Sequence, residues 1–558
     1  MPEDHSQHRK ATYEDWARLA EATLKGASLS GLEKITEDGI PVQALYTSQH
    51  SPQRDGAAIT VPREWIISQR IEPQAGEKEL NAALLEELSG GAQRIEFPSD
   101  TDISLLPGAL QNVLIEAVSF AMEPGPEIDR AMTAILSAFK EAGASPEKMH
   151  ACFGADPLAM VACGIQSRKE AGQALGSALD WMAGTGAGMA HIRPFAVAGD
   201  LYHHLGLTAA GELAVVLAGC VAILRQAEDK GIDPEVVFRR MEFRLAGEAD
   251  MYLSLAKIRA LRHGLNQVVA ASGVSDPVLA ERIHGVTSAR HLTTLDTDTN
   301  ILRNTTAMLG MVLGGAGIVT CLPHDWLTGS SARGRRLARN SHHMMRDEAR
   351  LGQVTDPVAG AYYLDRLTLE LGRKAWEHFQ EIEQAGGLAE SLSSGQIKGW
   401  ADEASLRRRK SVNSGASPLL GVTLHAVQGR SSGQVLKSSS GPRGGHNRPA
   451  QVWEDFRARI EGLNMRVLLL DFGQATGAAG TSRWFQAAGI NATAMKIRAE
   501  DLRETLAAAS PDLIVTDGAD ASVLAQLSAM PASPFQLEAT AFKGDVLALL
   551  EQTLGSIR

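Results

Sequence analysis

Histidine is absent from residues 447–558, although the 558-residue chain carries 16 histidines upstream of them. That stretch offers no imidazole to a metal. Cysteine is scarce as well: Cys152, Cys163, Cys220 and Cys321, with no Cys-x-x-Cys spacing. Four isolated cysteines argue against a disulfide framework and fit a reducing cytoplasm; they read as small buried residues. Basic charge is in deficit, with 54 Lys and Arg against 65 Asp and Glu, a net charge of −11. That argues against broad nucleic-acid binding, which needs a basic surface to displace counterions. No His-Glu-x-x-His occurs. The pairs His203-His204 and His342-His343 are adjacent and point roughly 100° apart on a helix, so they are not the i,i+4 pair of a zinc helix. No Gly-x-Ser-x-Gly elbow occurs. The start, Met1-Pro2-Glu3-Asp4-His5, is polar and acidic, unlike a secretory signal or a transit peptide. Together these absences predict a cytoplasmic protein without a metal centre.

What is present is apolar and periodic. Hydrophobic residues make up 44% and charged residues 21%, enough to bury large cores in two to four domains. Residues 1–60 read as an N-terminal arm with a helical start, Tyr13–Leu24. Residues 61–428 alternate short apolar runs with longer amphipathic segments, among them Asn112–Met122, Glu127–Ala142, Glu170–Met182, Ala209–Lys230, Asp250–Ser272 and Thr299–Leu313. That alternation predicts a parallel sheet covered by helices, and over this length a closed (β/α)8 TIM-type barrel. The longest uncharged stretch, Asn304–Pro323, reads as a buried helix ending at Gly314-Gly315 and then a buried strand. Residues 429–450 are rich in Ser and Gly and read as a flexible linker. Residues 451–558 read as a small α/β domain. Its strand candidates are Arg466–Asp471, Ala492–Ile497 and Leu513–Thr516; its helices are Ser482–Ala488, Glu500–Ala509 and Ala521–Ala529. Such a domain binds ligands beyond the carboxyl ends of its strands, where Asp471-Phe472-Gly473 and Gly477 form a glycine-rich turn. The spacing of those glycines is neither a Rossmann nor a Walker motif. Arg407-Arg408-Arg409-Lys410 reads as a solvated helix face or as a contact to an acidic ligand.

Several islands then combine. Trp16, Leu24-Lys25-Gly26, Thr36-Glu37-Asp38-Gly39-Ile40 and Leu45-Tyr46-Thr47 come first, followed by Trp65 and Gln69. Phe153-Gly154-Ala155-Asp156-Pro157-Leu158 and Leu255-Ala256-Lys257-Ile258-Arg259-Ala260 follow. Next are Thr287-Ser288-Ala289-Arg290, Asn300-Ile301-Leu302-Arg303, Gly314-Gly315, Ala338-Arg339-Asn340 and Asp356-Pro357 with Gly360 and Tyr363. Asn413-Ser414-Gly415 is among the last. In this order they resemble the barrel of the methylmalonyl-CoA mutase family. The resemblance implies a (β/α)8 barrel followed by a degenerate flavodoxin-like domain of the cobalamin-binding type.

The departures from the family fall at its chemistry. Its active-site Tyr-His pair lines up with Asp200 and Leu201, with Tyr202-His203 nearby but out of register. The family's arginine before the glutamine is Ser68 here, and after Gly314-Gly315 the family's Gln and His are Gly317 and Thr320. The family's Asp-x-His-x-x-Gly, whose histidine ligates cobalt, is here Asp471-Phe472-Gly473. A histidine would polarise the migrating carbonyl and an arginine would clamp the substrate carboxylate; leucine, serine and glycine do neither. The resemblance therefore implies the small, non-catalytic subunit of an adenosylcobalamin-dependent methylmalonyl-CoA mutase. It would form a heterodimer with a large catalytic subunit that binds the cobalamin and the acyl-CoA. No catalytic or cofactor residue is expected here, and Gln69, Tyr202, His203 and Arg259 are left as a candidate vestigial pocket. Two alternatives remain: an active mutase on another acyl-CoA, and a stand-alone regulator or scaffold with a dead barrel.

Overall fold

A computed structural model describes residues 11–557 apart from 51–63, 127, 275–278, 429–432, 439–440, 443–444, 446, 464, 474–476 and 530–534. Eight parallel strands close a barrel: β1 (Ile66–Arg70), β2 (Arg94–Phe97), β3 (Ser119–Met122), β4 (His150–Ala155), β5 (Ile192–Ala198), β6 (Met241–Gly247), β7 (Ile283–Thr287) and β8 (Ile318–Thr320). The last strand returns to the first, with Ile318 opposite Ile66 and Thr320 opposite Ser68. The barrel is thus the (β/α)8 architecture that the alternation implied.

Local chemistry sets the elements. Thr208 caps the helix Ala209–Asp229 by accepting from Gly211 N, and Asp250 caps Met251–Ala271 by accepting from Leu253 N. Ser167 and Glu170 form a reciprocal capping box on Arg168–Ala183. The helix Thr299–Gly314 stops where Gly315 turns left-handed at φ 85°, a conformation costly for any residue with a Cβ. One expectation fails here. Asn112–Met122 is not a helix: Asn112 sits at φ 63°, a short 3-10 turn covers Ile115–Ala117, and Ser119–Met122 is strand β3. Its apolar residues serve a barrel strand, and a short apolar run does not declare its period. Ala209–Asp229 is long and apolar enough to cross a membrane, but 78% of its apolar window is buried against the barrel, as befits a core helix.

The C-terminal domain contains four parallel strands: β9 (Val467–Asp471), β10 (Ala492–Lys496), β11 (Leu513–Asp517) and β12 (Phe535–Glu538). Their order in the sheet is β10-β9-β11-β12, so the chain reverses direction across the sheet beside β9. That is the flavodoxin-like order, whose ligand crevice lies at the carboxyl end of the switch-point strands. Three elements were not anticipated from sequence: β12 and the helices Gln451–Ile460 and Val546–Ile557.

This domain is fastened to the carboxyl face of the barrel. Trp453 stacks on Trp484 at 5.6 Å, and its indole N–H donates to Asn413 at 3.2 Å. Asn413 donates in turn to Asp545 at 3.0 Å. Glu454 accepts from the backbone N–H of Thr294 and the hydroxyl of Thr293, both at 2.9 Å, in the loop after β7. The chain before this helix also lies along that face. Asn447 donates to Leu205 O at 2.9 Å and Arg448 to Leu292 O at 3.0 Å, while Leu436 N donates to Leu327 O at 2.8 Å.

Candidate functional site

A barrel of this kind does its chemistry at the carboxyl ends of its strands, with the substrate reached along or above the axis. Here charged side chains fill the axis. In β2 the sequence Arg94-Ile95-Glu96-Phe97 alternates, and in β6 Glu242-Phe243-Arg244-Leu245 does the same. Side chains two apart share a face, so Arg94, Glu96, Glu242 and Arg244 meet inside. The strands β2 and β6 lie four apart in a ring of eight, so each pair spans the full diameter. Arg94 Nη1 and Nη2 donate to Glu242 at 2.8 and 2.7 Å, and Arg244 pairs with Glu96. Arg70, at the end of β1, donates to Glu96 at 3.0 and 3.1 Å and meets Glu123 at 2.6 Å. His284 of β7 lies 2.9 Å from Glu242 and 2.8 Å from Thr320. The remaining wall is small: Ala121, Cys152 and Ala196 pack together.

Ions buried this deeply persist only when paired, and the pairing is reciprocal. Burial pushes the Glu242 carboxyl up, but Arg94 and His284 outweigh it and hold the group well below the usual range. Burial disfavours charged Arg244, yet Asp200 and Glu96 raise its pKa well above the ordinary value. Glu96 stays low for the same reason, burial being overcome by Arg244 and Arg70.

The positions singled out by sequence do not gather in one place. Asp200 lies on the short helix Gly199–Leu205 after β5 and takes Arg244 Nη2 at 2.9 Å, so it caps the axial ladder. Leu201 is half-buried and packs on the barrel core. Ser68 and Gln69 lie in β1, both fully buried; Ser68 Oγ and Gln69 Oε1 have no hydrogen-bond partner. Gly317 is at the opposite end: its carbonyl accepts from Ile66 N at 2.9 Å, on the amino-terminal side of β8. Arg259 is on the outer helix Met251–Ala271, where it meets Asp356 at 2.6 Å. It ties two islands of the sequence together and does not join Gln69, Tyr202 and His203.

His203 marks a second buried cluster that sequence reasoning did not assemble. Its Nε2 lies 2.8 Å from Ser288 Oγ, and its Nδ1 lies 3.5 Å from Glu212 and 3.6 Å from Glu248. The ligand atoms of these three residues fall within 4.8 Å of one another. Lys257 already neutralises them, with its Nζ 2.6 Å from Glu212 and 3.4 Å from Glu248. An ammonium in that position does the work of a cation. Burial raises the Glu212 pKa to about 7 despite Lys257. Burial, then Arg290 and Lys257, keep His203 neutral, its pKa well below the ordinary value. Tyr202 is 1% exposed and its hydroxyl has no partner. The signal for this cluster was present: Lys257 stands two residues before Arg259 in the same island. A lysine and an arginine two apart on a helix face different ways, one inward and one outward.

The glycine turn of the C-terminal domain is bare by comparison. It follows β9, and Gly473 N donates to Asp471 Oδ1 at 2.8 Å, closing a local turn. Gly477 opens the helix Gly477–Ala487, and residues 474–476 lie outside the described residues. Gly473, which the resemblance sets against the family's cobalt-ligating histidine, presents no side chain. Nothing in this loop fits a histidine-ligated corrin.

The sequence pattern of the methylmalonyl-CoA mutase family matches residues 101–498. The chain is 30% identical to a methylmalonyl-CoA mutase small subunit of Streptomyces virginiae, covering 93% of this chain and 91% of that protein. It is 26% identical to the small subunit of Propionibacterium freudenreichii subsp. shermanii, over 82% of this chain and 76% of the relative. The large subunit of Streptomyces virginiae is also similar, at 25% identity over 74% of this chain and 59% of its own length.

Proposed function

The chain belongs to the methylmalonyl-CoA mutase family, and from that premise we propose that it is the small, non-catalytic subunit of an adenosylcobalamin-dependent methylmalonyl-CoA mutase. The complex interconverts methylmalonyl-CoA and succinyl-CoA in the cytoplasm. This chain holds the large subunit in its working form, and the large subunit carries both cobalamin and substrate. The observation that carries the reading is the pair of ion bridges across the barrel, Arg94–Glu242 and Arg244–Glu96. A thioester and its long carrier arm need room at or through the barrel axis, and four charged side chains spanning the diameter take that room. Opening it would strand ions in a low-dielectric interior at a cost of about 3–5 kcal/mol for each broken pair. The missing imidazole at Gly473 supports the same reading independently.

The N-terminal arm supports the partner. Its later part is tied to its own barrel: Glu37 meets Arg408 at 2.7 Å, Asp38 accepts from Ala210 N at 3.0 Å, and Tyr46 packs on Tyr363. Its earlier part is more exposed. The helix Tyr13–Thr23 buries none of its residues, and Leu19 and Ile35 are 67% and 76% exposed. With Leu32 they leave three large apolar side chains of the arm exposed, and exposed apolar surface on an arm suits an interface. Each would contribute on the order of 1.5–3 kcal/mol when fully covered.

Co-expression with a large subunit, followed by size-exclusion chromatography and a mutase assay, tests the proposal. Complex formation is expected, with activity in the complex and none in the isolated chain. Deleting residues 1–35 is expected to abolish co-purification while circular dichroism stays unchanged. Turnover by the isolated chain, supplied with adenosylcobalamin and methylmalonyl-CoA, would overturn it.

A further inference from the structure

The basic run of the last barrel helix, Gln396–Asn413, does not face only solvent. With the start of the helix Gln451–Ile460 it encloses a cavity of about 180 Å³. Ser405, Arg408 and Arg409 line it from one side; Arg448, Gln451 and Asp455 line it from the other. Each arginine is differently committed. Arg448 spends its Nη atoms on Glu454 and Leu292 O, but its buried Nε has no partner. Arg408 is held by Glu37 at 2.7 Å and by Gly206 O at 3.3 Å, and its buried Nη1 has none. Arg409 is exposed on its helix. Ser405 is 7% exposed, and its hydroxyl, its only polar side-chain atom, is also unpartnered.

The helix that completes the cavity adds a dipole. Its N-cap is Ala450, which contributes no side-chain hydrogen bond. A helix start without a Ser, Thr, Asp or Asn cap leaves its first N–H groups to another acceptor, and the macrodipole favours an anion there. Residues carrying three guanidinium groups, a buried hydroxyl with no partner and an uncapped helix start line one small space. Asp455 is the single carboxylate in the lining and opposes them.

We propose that this cavity is an anion site that takes a phosphate group, and that the bound phosphate bridges the last barrel helix and the C-terminal domain. Guanidinium forks match phosphate oxygens in geometry and charge, and the volume admits a phosphate. The inference does not rest on the non-catalytic reading, because none of these residues lies on the barrel axis or in the Asp471 loop.

Calorimetric titration of the full-length chain at constant ionic strength tests it. Inorganic phosphate is the first probe and adenosine monophosphate the second, with chloride as the control. Saturable binding of phosphate with millimolar or tighter affinity is expected, and chloride should give none. Arg409→Ala is expected to weaken binding at least tenfold, and Asp455→Asn to strengthen it severalfold by removing a like charge. Equal affinities for the two probes would mean that the site reads a free phosphate; tenfold tighter adenosine monophosphate would mean that the phosphate is the head of a larger ligand. Ser405→Ala serves as a second variant, expected to weaken binding while leaving the melting temperature within a degree. No saturable phosphate binding by the parent chain, or unchanged binding in both Arg409→Ala and Asp455→Asn, would overturn the proposal.

Discussion

The barrel axis and the Asp471 loop are built in opposite ways. The axis is overfilled: Arg94, Glu96, Glu242 and Arg244 cross it as paired ions, all 0–1% exposed. The loop is underfilled: Gly473 offers no side chain, and among the described residues its backbone N–H closes a local turn on Asp471. An overfilled site is part of the folding core, so its residues should matter greatly to stability. An underfilled site at a surface loop should matter little. The difference teaches that a filled site and a bare one can be told apart by their stability signatures before any activity is measured.

The largest effect tests the filled side. Glu242→Ala leaves Arg94 and His284 facing each other without a counter-charge, and should cost about 3–5 kcal/mol in chemical denaturation. A loss below about 1 kcal/mol would mean that the ladder is solvated and that the axis is more open than described. A smaller effect concerns pH. Trp65 donates to His342 Nδ1 at 2.9 Å, and burial lowers the His342 pKa to about 3. The unfolded chain takes up that proton near the ordinary value of 6.5, so stability present above pH 6.5 is lost as pH falls toward 3. His342→Gln keeps an acceptor for the indole and removes the titration. Relative to the parent it should lose about 2 kcal/mol less between pH 6.5 and 4.5, at about 1.4 kcal/mol per unit. Comparing the two proteins separates this residue from Glu212, whose pKa near 7 acts in the opposite direction. The smallest effect belongs to the bare side. Asp471→Ala should cost about 1 kcal/mol or less, the net worth of one exposed hydrogen bond. A loss as large as that of Glu242→Ala would erase the contrast between the two regions.

Much of the architecture was legible before any coordinates, for identifiable reasons. The helices Ala209–Asp229 and Met251–Ala271 announce themselves by Thr208 and Asp250 at their starts and by long apolar faces. Gly314-Gly315 marks a helix end because a left-handed cap needs a glycine. Asn112–Met122 misled because eleven residues, eight of them apolar, fit either period, and the left-handed turn at Asn112 carries no strong local signature. Strand β12 was missed because it is short, and the helix Gln451–Ile460 because Ala450 gives it no side-chain cap; the helix Val546–Ile557 was missed although Asp545 accepts from Ala548 N at its start. The site was less legible than the fold. Gly473 and the lack of histidine could be read directly, since an absence needs no geometry. The axial ladder could not, although its mark was there: Arg94-Ile95-Glu96-Phe97 and Glu242-Phe243-Arg244-Leu245 place charge at every second residue. Barrel strands buried on both faces usually run apolar, so alternation there points to charge turned inward. Which charges pair depends on strands 148 residues apart in sequence, and no local pattern encodes that. The islands around Lys257, Arg259 and Asn413 were recognised as landmarks; only the structure gives their work, which is to neutralise Glu212, to hold Asp356 and to fasten Trp453.

The measurement that tests the central claim most directly is the corrinoid content of the assembled enzyme. The complex of this chain with a large subunit would be saturated with adenosylcobalamin and freed of excess by gel filtration. Corrinoid absorbance would then be divided by the amount of each chain. The account expects one corrinoid per large subunit and none assigned to this chain, and no corrinoid retained when this chain is treated alone. Two corrinoids per pair of chains, or stoichiometric retention by this chain alone, would contradict it.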